Sequence, residues 1–126
     1  MKHFITSILF LNCYLLQAQT QLGSDIDGEA ANDYSGRSVS INSAGDRVAI
    51  GAYLNDGTGT DAGHVRVYEY SNSSWSQLGS DIDGEAGGYN RGDYFGYSVS
   101  INSAGDRVAI GANYNDGTGY DELCGE

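Results

Sequence analysis

The chain has two cysteines and no proline, and it carries six basic residues against 17 acidic ones. Cys13 lies in an N-terminal apolar stretch and Cys124 close to the C-terminus, so no disulfide framework survives if that stretch is removed. Stability must then come from packing, and a proline-free chain with 19 glycines packs only where neighbours cover it. Beyond the N-terminus there is no long apolar run, so no transmembrane helix is apparent and the length allows at most one ordinary domain. Histidine is equally scarce. His64 is the only one outside residues 1–18 and falls on an expected strand, which leaves no Ser/His/Asp or Cys/His set for nucleophilic catalysis. The carboxylates recur in near-identical turns, not in the opposed environments that separate an acid from a base, and the chain is read as no enzyme.

The N-terminal stretch itself has a distinct composition. Lys2 and His3 lead into apolar residues from Phe4 to Leu16, followed by Gln17 and Ala18, the pattern of a secretory signal peptide over 1–18. A lipid-anchored alternative would use Cys13, but Asn12 stands where a small residue is expected. Without residues 1–18 the chain keeps five arginines against 17 acids, a net charge of −12. That surface repels nucleic acid and anionic membranes, attracts cations and keeps an exported protein in solution.

What the sequence does have is repetition. S-V-S-I-N-S-A-G-D-R-V-A-I-G-A runs from Ser38 to Ala52 and again, without one substitution, from Ser98 to Ala112. Val39 and Ile41 alternate with Ser38 and Ser40, and Val48 and Ile50 alternate with Arg47, Ala49 and Gly51. This period of two predicts a pair of strands, and Asn42 to Asp46 supply the turn of an antiparallel hairpin. The second face of that hairpin carries Ser, Ala and Gly instead of Lys or Glu. It reads as a face that a neighbouring sheet approaches closely, with a plain solvated face as the alternative.

A second stretch, Q-L-G-S-D-I-D-G-E-A, covers Gln21 to Ala30 and returns at Gln77 to Ala86. Its offset of 56 differs from the hairpin's 60 by an insertion in Gly87 to Asp93, so one unit of about 58 residues is repeated. His64 to Tyr70 alternates as a third strand, Asn72 to Ser74 turn the chain, and Trp75 to Gly79 make a fourth. Four antiparallel strands per unit suit a propeller blade or a small meander.

Phe95-Gly96 followed by S-V-S-I, a turn and V-A-I-G-A resembles the FG-GAP repeat of integrin-type β-propellers and their bacterial secreted relatives. The likeness extends to Gly63-His-Val-Arg-Val-Tyr68 and to Trp75-x-Gln-Leu-Gly79, hence to nearly all of residues 20–120. Ser35 replaces the Phe in the first copy, and Tyr53 and Asn113 stand where the motif has Pro. The resemblance implies an all-β chain of four-stranded antiparallel units, about one and a half blades of a β-propeller. It divides the chain into a signal peptide (1–18), the last strand of a blade plus an acidic loop (19–37, with Thr20 to Ile26 as the strand), a full blade (38–79), a partial second blade (80–120) and an aberrant tail (121–126). Closure takes about 4–8 blades, so a truncated reading frame or a piece of a longer chain is expected. The resemblance further implies a secreted or cell-surface binding or adhesion scaffold with an extracellular protein or glycan ligand. The alternatives are a piece of a glycan-active enzyme and a purely structural array. An isolated blade leaves both sheet faces and an edge uncovered, so self-association through open sheet edges is also expected.

Asp25, Asp27 and Glu29, with Asp81, Asp83 and Glu85 in the second copy, place carboxylates at i, i+2 and i+4 about a Gly, a spacing of hard oxygen ligands that suits calcium. A solvated acidic turn is the plainer reading. In calcium-binding FG-GAP repeats the ion sits between the first two strands of the blade, where this chain has only the short Asn42 to Asp46 turn, so the resemblance carries no calcium over. Asn55 to Asp61 looks like one calcium-binding nonapeptide without its tandem. Arg91-Gly92-Asp93 is an integrin-recognition tripeptide read as coincidence, and Asn72-Ser73-Ser74 is a glycosylation sequon.

Overall fold

A computed structural model describes residues 19–85 and 92–115. The signal-peptide reading of 1–18, Arg91 of the tripeptide, and Cys13 and Cys124 lie outside the described residues. The described chain is all-β. Its strands are β1 (Ser38–Ile41), β2 (Arg47–Ala52), β3 (His64–Ser71), β4 (Ser74–Gln77), β5 (Ile82–Asp83), β6 (Phe95–Ile101) and β7 (Val108–Ala112).

β1 to β4 form an antiparallel meander with β5 beside β3, and β6 and β7 form a second antiparallel sheet. The β1–β2 turn is closed by one side chain. Asn42 Oδ1 accepts from the amides of Asp46 and Arg47 at 3.1 and 3.0 Å, while Asn42 Nδ2 donates to Asp46 Oδ1 at 2.7 Å. Gly45 takes φ +73° in this turn, a conformation that costs an L-residue its Cβ clearance. Asn102 repeats every one of these bonds between β6 and β7. The β3–β4 turn places Asn72 and Ser73 at φ 49° and 63°, the paired left-handed residues whose twist matches a two-residue hairpin.

Thr20 to Ile26, expected as a strand of a blade whose other strands lie elsewhere, pairs with no described strand and is held by Trp75 Nε1, which donates to the Leu22 carbonyl at 2.9 Å. One expectation needs correction: the fourth strand is Ser74–Gln77 and stops short of Gly79. β4 pairs Tyr68 with Gln77, yet β5 pairs Val65 with Ile82, so residues 66 and 67 of β3 face four partner residues, 78–81. This wide bulge, with Gly79 at φ +72°, swings Asp81 towards β3.

Register decides what each face buries. Ser38, Ser40, Ala49 and Gly51 share a face with Val65 and Val67, whereas Val39, Ile41, Val48 and Ile50 lie on the other with His64, Arg66 and Tyr68. The Ser/Ala/Gly face is the one that meets a neighbouring sheet. Ala49 (0% exposed), Val65 and Ile101 (8%) centre the core, with Val67, Phe95, Val99, Val108 and Ile110 packed around them. Small residues are needed there because the backbones nearly touch. A Cβ on Gly51 would collide with the Gly96 carbonyl, and one on Gly63 with the Phe95 backbone. Across the seam Ser38 Oγ donates to Gly96 O at 2.6 Å, the Ile101 amide donates to Ser40 Oγ at 3.1 Å, and Arg47 Nη1 donates to Gly105 O at 3.0 Å. The two sheets are thus packed as neighbouring blades in an open arc of a β-propeller, the small-residue face of one against the Val/Ile face of the next.

Candidate functional site

Of the six carboxylates singled out by spacing, the fold brings together Glu29 and Asp81, one from each copy, and adds His64 and Arg66 from β3. The Asp81 bulge makes this encounter. Arg66 Nε and Nη2 donate to Asp81 Oδ1 and Oδ2 at 2.8 and 2.7 Å, a two-point fork, and Arg66 Nη2 also lies 3.1 Å from Glu29 Oε2. Gln77 Nε2 adds a 2.6 Å bond to Asp81 Oδ1. The Arg66 hydrogen bonds, with help from Gln77 and the nearby positive charge, hold the Asp81 carboxyl down to about 2, and they raise Arg66 further above its usual range.

His64 is 3% exposed and its Nδ1 has no hydrogen-bond partner. It faces Asp81 Oδ2 at 3.8 Å and Glu29 Oε2 at 3.9 Å. Glu29, His64 and Asp81 offer ligand atoms within 4.8 Å of one another, so this is the cluster a metal would choose among the described residues. The guanidinium of Arg66, however, already bridges the two carboxylates. Calcium takes six to eight oxygens, whereas this cluster offers two carboxylates already bonded to a cation and a nitrogen ligand. The donor set therefore fits an arginine clamp better than calcium. Asp83 and Glu85 are exposed and outside this cluster.

Asp25 and Asp27 lie elsewhere. With Ser24, Ile26, Tyr68, Ser74 and Trp75 they line an open groove of about 180 Å³. Gln21 Nε2 donates to Asp25 Oδ1 at 2.8 Å, the same bond that Gln77 makes to Asp81 in the second copy. Here no described arginine clamps the carboxylate, and it stays exposed to the groove. Trp75 is fixed from two sides: its ring is 5.2 Å from that of Tyr70, and its Nε1 is bonded to Leu22 O. Gly23, at φ +74°, lets the chain run close over the indole.

The remaining sequence motifs have structural work. Asn55 Nδ2 donates to Asp33 Oδ2 at 2.8 Å and to Glu29 Oε2 at 3.1 Å, its Oδ1 accepts from the Gly57 amide, and Asp56 Oδ1 accepts from the Asp61 amide, so the nonapeptide-like loop spends these side chains on its own backbone and its neighbours. Asp93 of the tripeptide is 5% exposed and accepts from Asn115 Nδ2 at 2.8 Å, which puts it out of reach of an integrin. Asn72 of the sequon is exposed at the β3–β4 turn. Sequence reasoning missed the groove, because Trp75 and Tyr68 read as ordinary strand residues. It missed the Arg66 clamp because Glu29 and Asp81 meet only through the bulge.

No curated protein matches the chain. The family model of the FG-GAP repeat matches residues 25–68 and 85–122, each match beginning in the acidic loop and carrying one copy of the hairpin. These residues make up more than half of the sequence, the first match holding β1, β2 and most of β3 and the second β6 and β7, and the chain belongs to the FG-GAP repeat family.

Proposed function

We propose that the protein is a secreted or cell-surface scaffold that binds an extracellular ligand without transforming it, and that a glycan is the ligand its exposed chemistry suits best. The groove carries the reading. Tyr68 and Trp75 offer apolar aromatic surface to the C–H face of a sugar ring, while Asp25 and Asp27 offer acceptors to its hydroxyls. The Arg66 clamp supports binding over catalysis as well, since its two-point fork commits Asp81 to a structural ion pair that Glu29 joins at 3.1 Å. Family membership adds the extracellular setting by analogy.

A glycan array probed with the full chain tests the proposal. Saturable binding to a glycan, weakened about tenfold or more in Asp25→Asn and Asp27→Asn with the β-sheet circular dichroism unchanged, is the expected result. Binding only to proteins, release of cleaved sugar, or neither binding nor turnover would each reject it.

A further inference from the structure

The seam between the two sheets joins unlike faces, and among the described residues each sheet leaves hairpin strands uncovered on its other face. On the first sheet this is the β1 side of the Val/Ile face, with Val39 60% and Ile41 56% exposed, while the β3 side is covered at His64 and Arg66. On the second it is the Ser/Ala/Gly one, where Ser98, Ser100 and Ala109 are exposed. Because residues 38–52 and 98–112 have the same sequence, the two uncovered surfaces are the two halves of the seam already formed inside the molecule. We infer that a second copy of this chain docks its Val39/Ile41/Val48/Ile50 face onto the Ser98/Ser100/Ala109/Gly111 face of the first. The contact repeats the internal one at an offset of 60 residues. Ser98 Oγ donates to Gly36 O of the second copy, as Ser38 does to Gly96, and Ser100 Oγ accepts from the second copy's Ile41 amide, as Ser40 does from Ile101. Arg107 reaches Gly45 O as Arg47 reaches Gly105. Gly36 has the φ of +86° that Gly96 has (+85°), so the acceptor is already presented in the same way.

This contact is heterologous. It propagates head to tail, into a ring if the rotation closes and into a filament if it does not, and it differs from edge-to-edge strand pairing. It is weaker than the internal seam, because Ser35 stands where Phe95 packs and the Ser/Ala/Gly face here spans two described strands instead of three. Association is therefore concentration-dependent, in roughly the micromolar range or above.

Sedimentation equilibrium of the full chain with its native N-terminus tests the inference. Wild type increases in mass with concentration. Ile41→Lys, which spoils the Val/Ile face, and Ala109→Arg, which spoils the other, each place an unpaired charge in the contact and weaken self-association about 100-fold or more. Mixing the two variants restores one good pair of faces and gives a 1:1 dimer that grows no further. Both substitutions are at exposed positions, and Val39→Lys with Ser100→Arg forms a second pair should circular dichroism show either variant unfolded. A wild type that stays monomeric overturns the inference. So do variants that still self-associate, whether through strand edges or the N-terminal segment, and so does a mixture that remains monomeric.

Discussion

Ser38 and Ser98 occupy the same position of the repeated hairpin, yet Ser38 Oγ is bonded to Gly96 O across the seam at 2.6 Å while Ser98 stands exposed. Identical residues thus do unlike work, because one copy has a neighbour on its small-residue face. Comparing matched substitutions in the two copies isolates what that neighbour contributes.

Gly51 and Gly111 give the sharpest such comparison. A Cβ at either position meets a serine hydroxyl of the paired strand, which can rotate away, but at Gly51 it also meets the Gly96 backbone, which cannot. Gly51→Ala should therefore destabilise the fold by roughly 1–3 kcal/mol more than Gly111→Ala, the cost of overpacking a closed interface. Urea denaturation of both variants measures the difference, and equal midpoints would place no neighbour over Gly51.

Asn42 and Asn102 make the same three bonds in their turns, but Asn42 is buried beside Gly105 and Asn102 is more open to solvent. Removing a partner from buried amides costs about 1–3 kcal/mol. Asn42→Ala should sit in the upper part of that range and Asn102→Ala in the lower, read as a difference in thermal midpoint.

The Asp81 carboxyl titrates at about 2 in the folded chain against 3.8 as a free group, lowered first by the Arg66 fork. Its folded value is depressed, so the stability it contributes is complete above about pH 4 and is lost as pH falls through 2. With a quarter of the side chain exposed, that contribution is about 1–2 kcal/mol. Asp81→Asn should lower stability at neutral pH by this amount and flatten the stability profile between pH 4 and pH 2. An unchanged acid limb would show that the fork is not maintained in solution.

The hairpins were legible in the sequence because a period of two, a turn of Asn, Gly and Asp, and an exact repeat all pointed to one structure. The role of the Ser/Ala/Gly face was legible too, since a strand face without long polar residues is shaped for close approach. Other features could not be read there. Val65 and Val67 resemble Val39 and Ile41 in sequence, yet the β2–β3 register puts them on the opposite face, and register is a property of the paired strands, not of either one. Glu29 and Asp81 come from different copies and meet only because the bulge at 78–81 displaces β5, an irregularity that Gly79 permits but does not announce. Thr20 to Ile26 reads as a strand only by the family resemblance, for its own residues do not alternate; no described strand pairs with it, and the Trp75 Nε1 bond to the Leu22 carbonyl holds it.

The claim that the small-residue face of one unit packs on the Val/Ile face of the next is tested most directly by methyl nuclear Overhauser spectroscopy. The seam predicts cross-peaks from the Ala49 methyl to Ile101 and Val65, with none between Val39 and Ile101 within one molecule. Cross-peaks from Val39 or Ile41 to Ile101 in the monomer, with Ala49 silent, would mean that the units pack through their Val/Ile faces and would contradict the account.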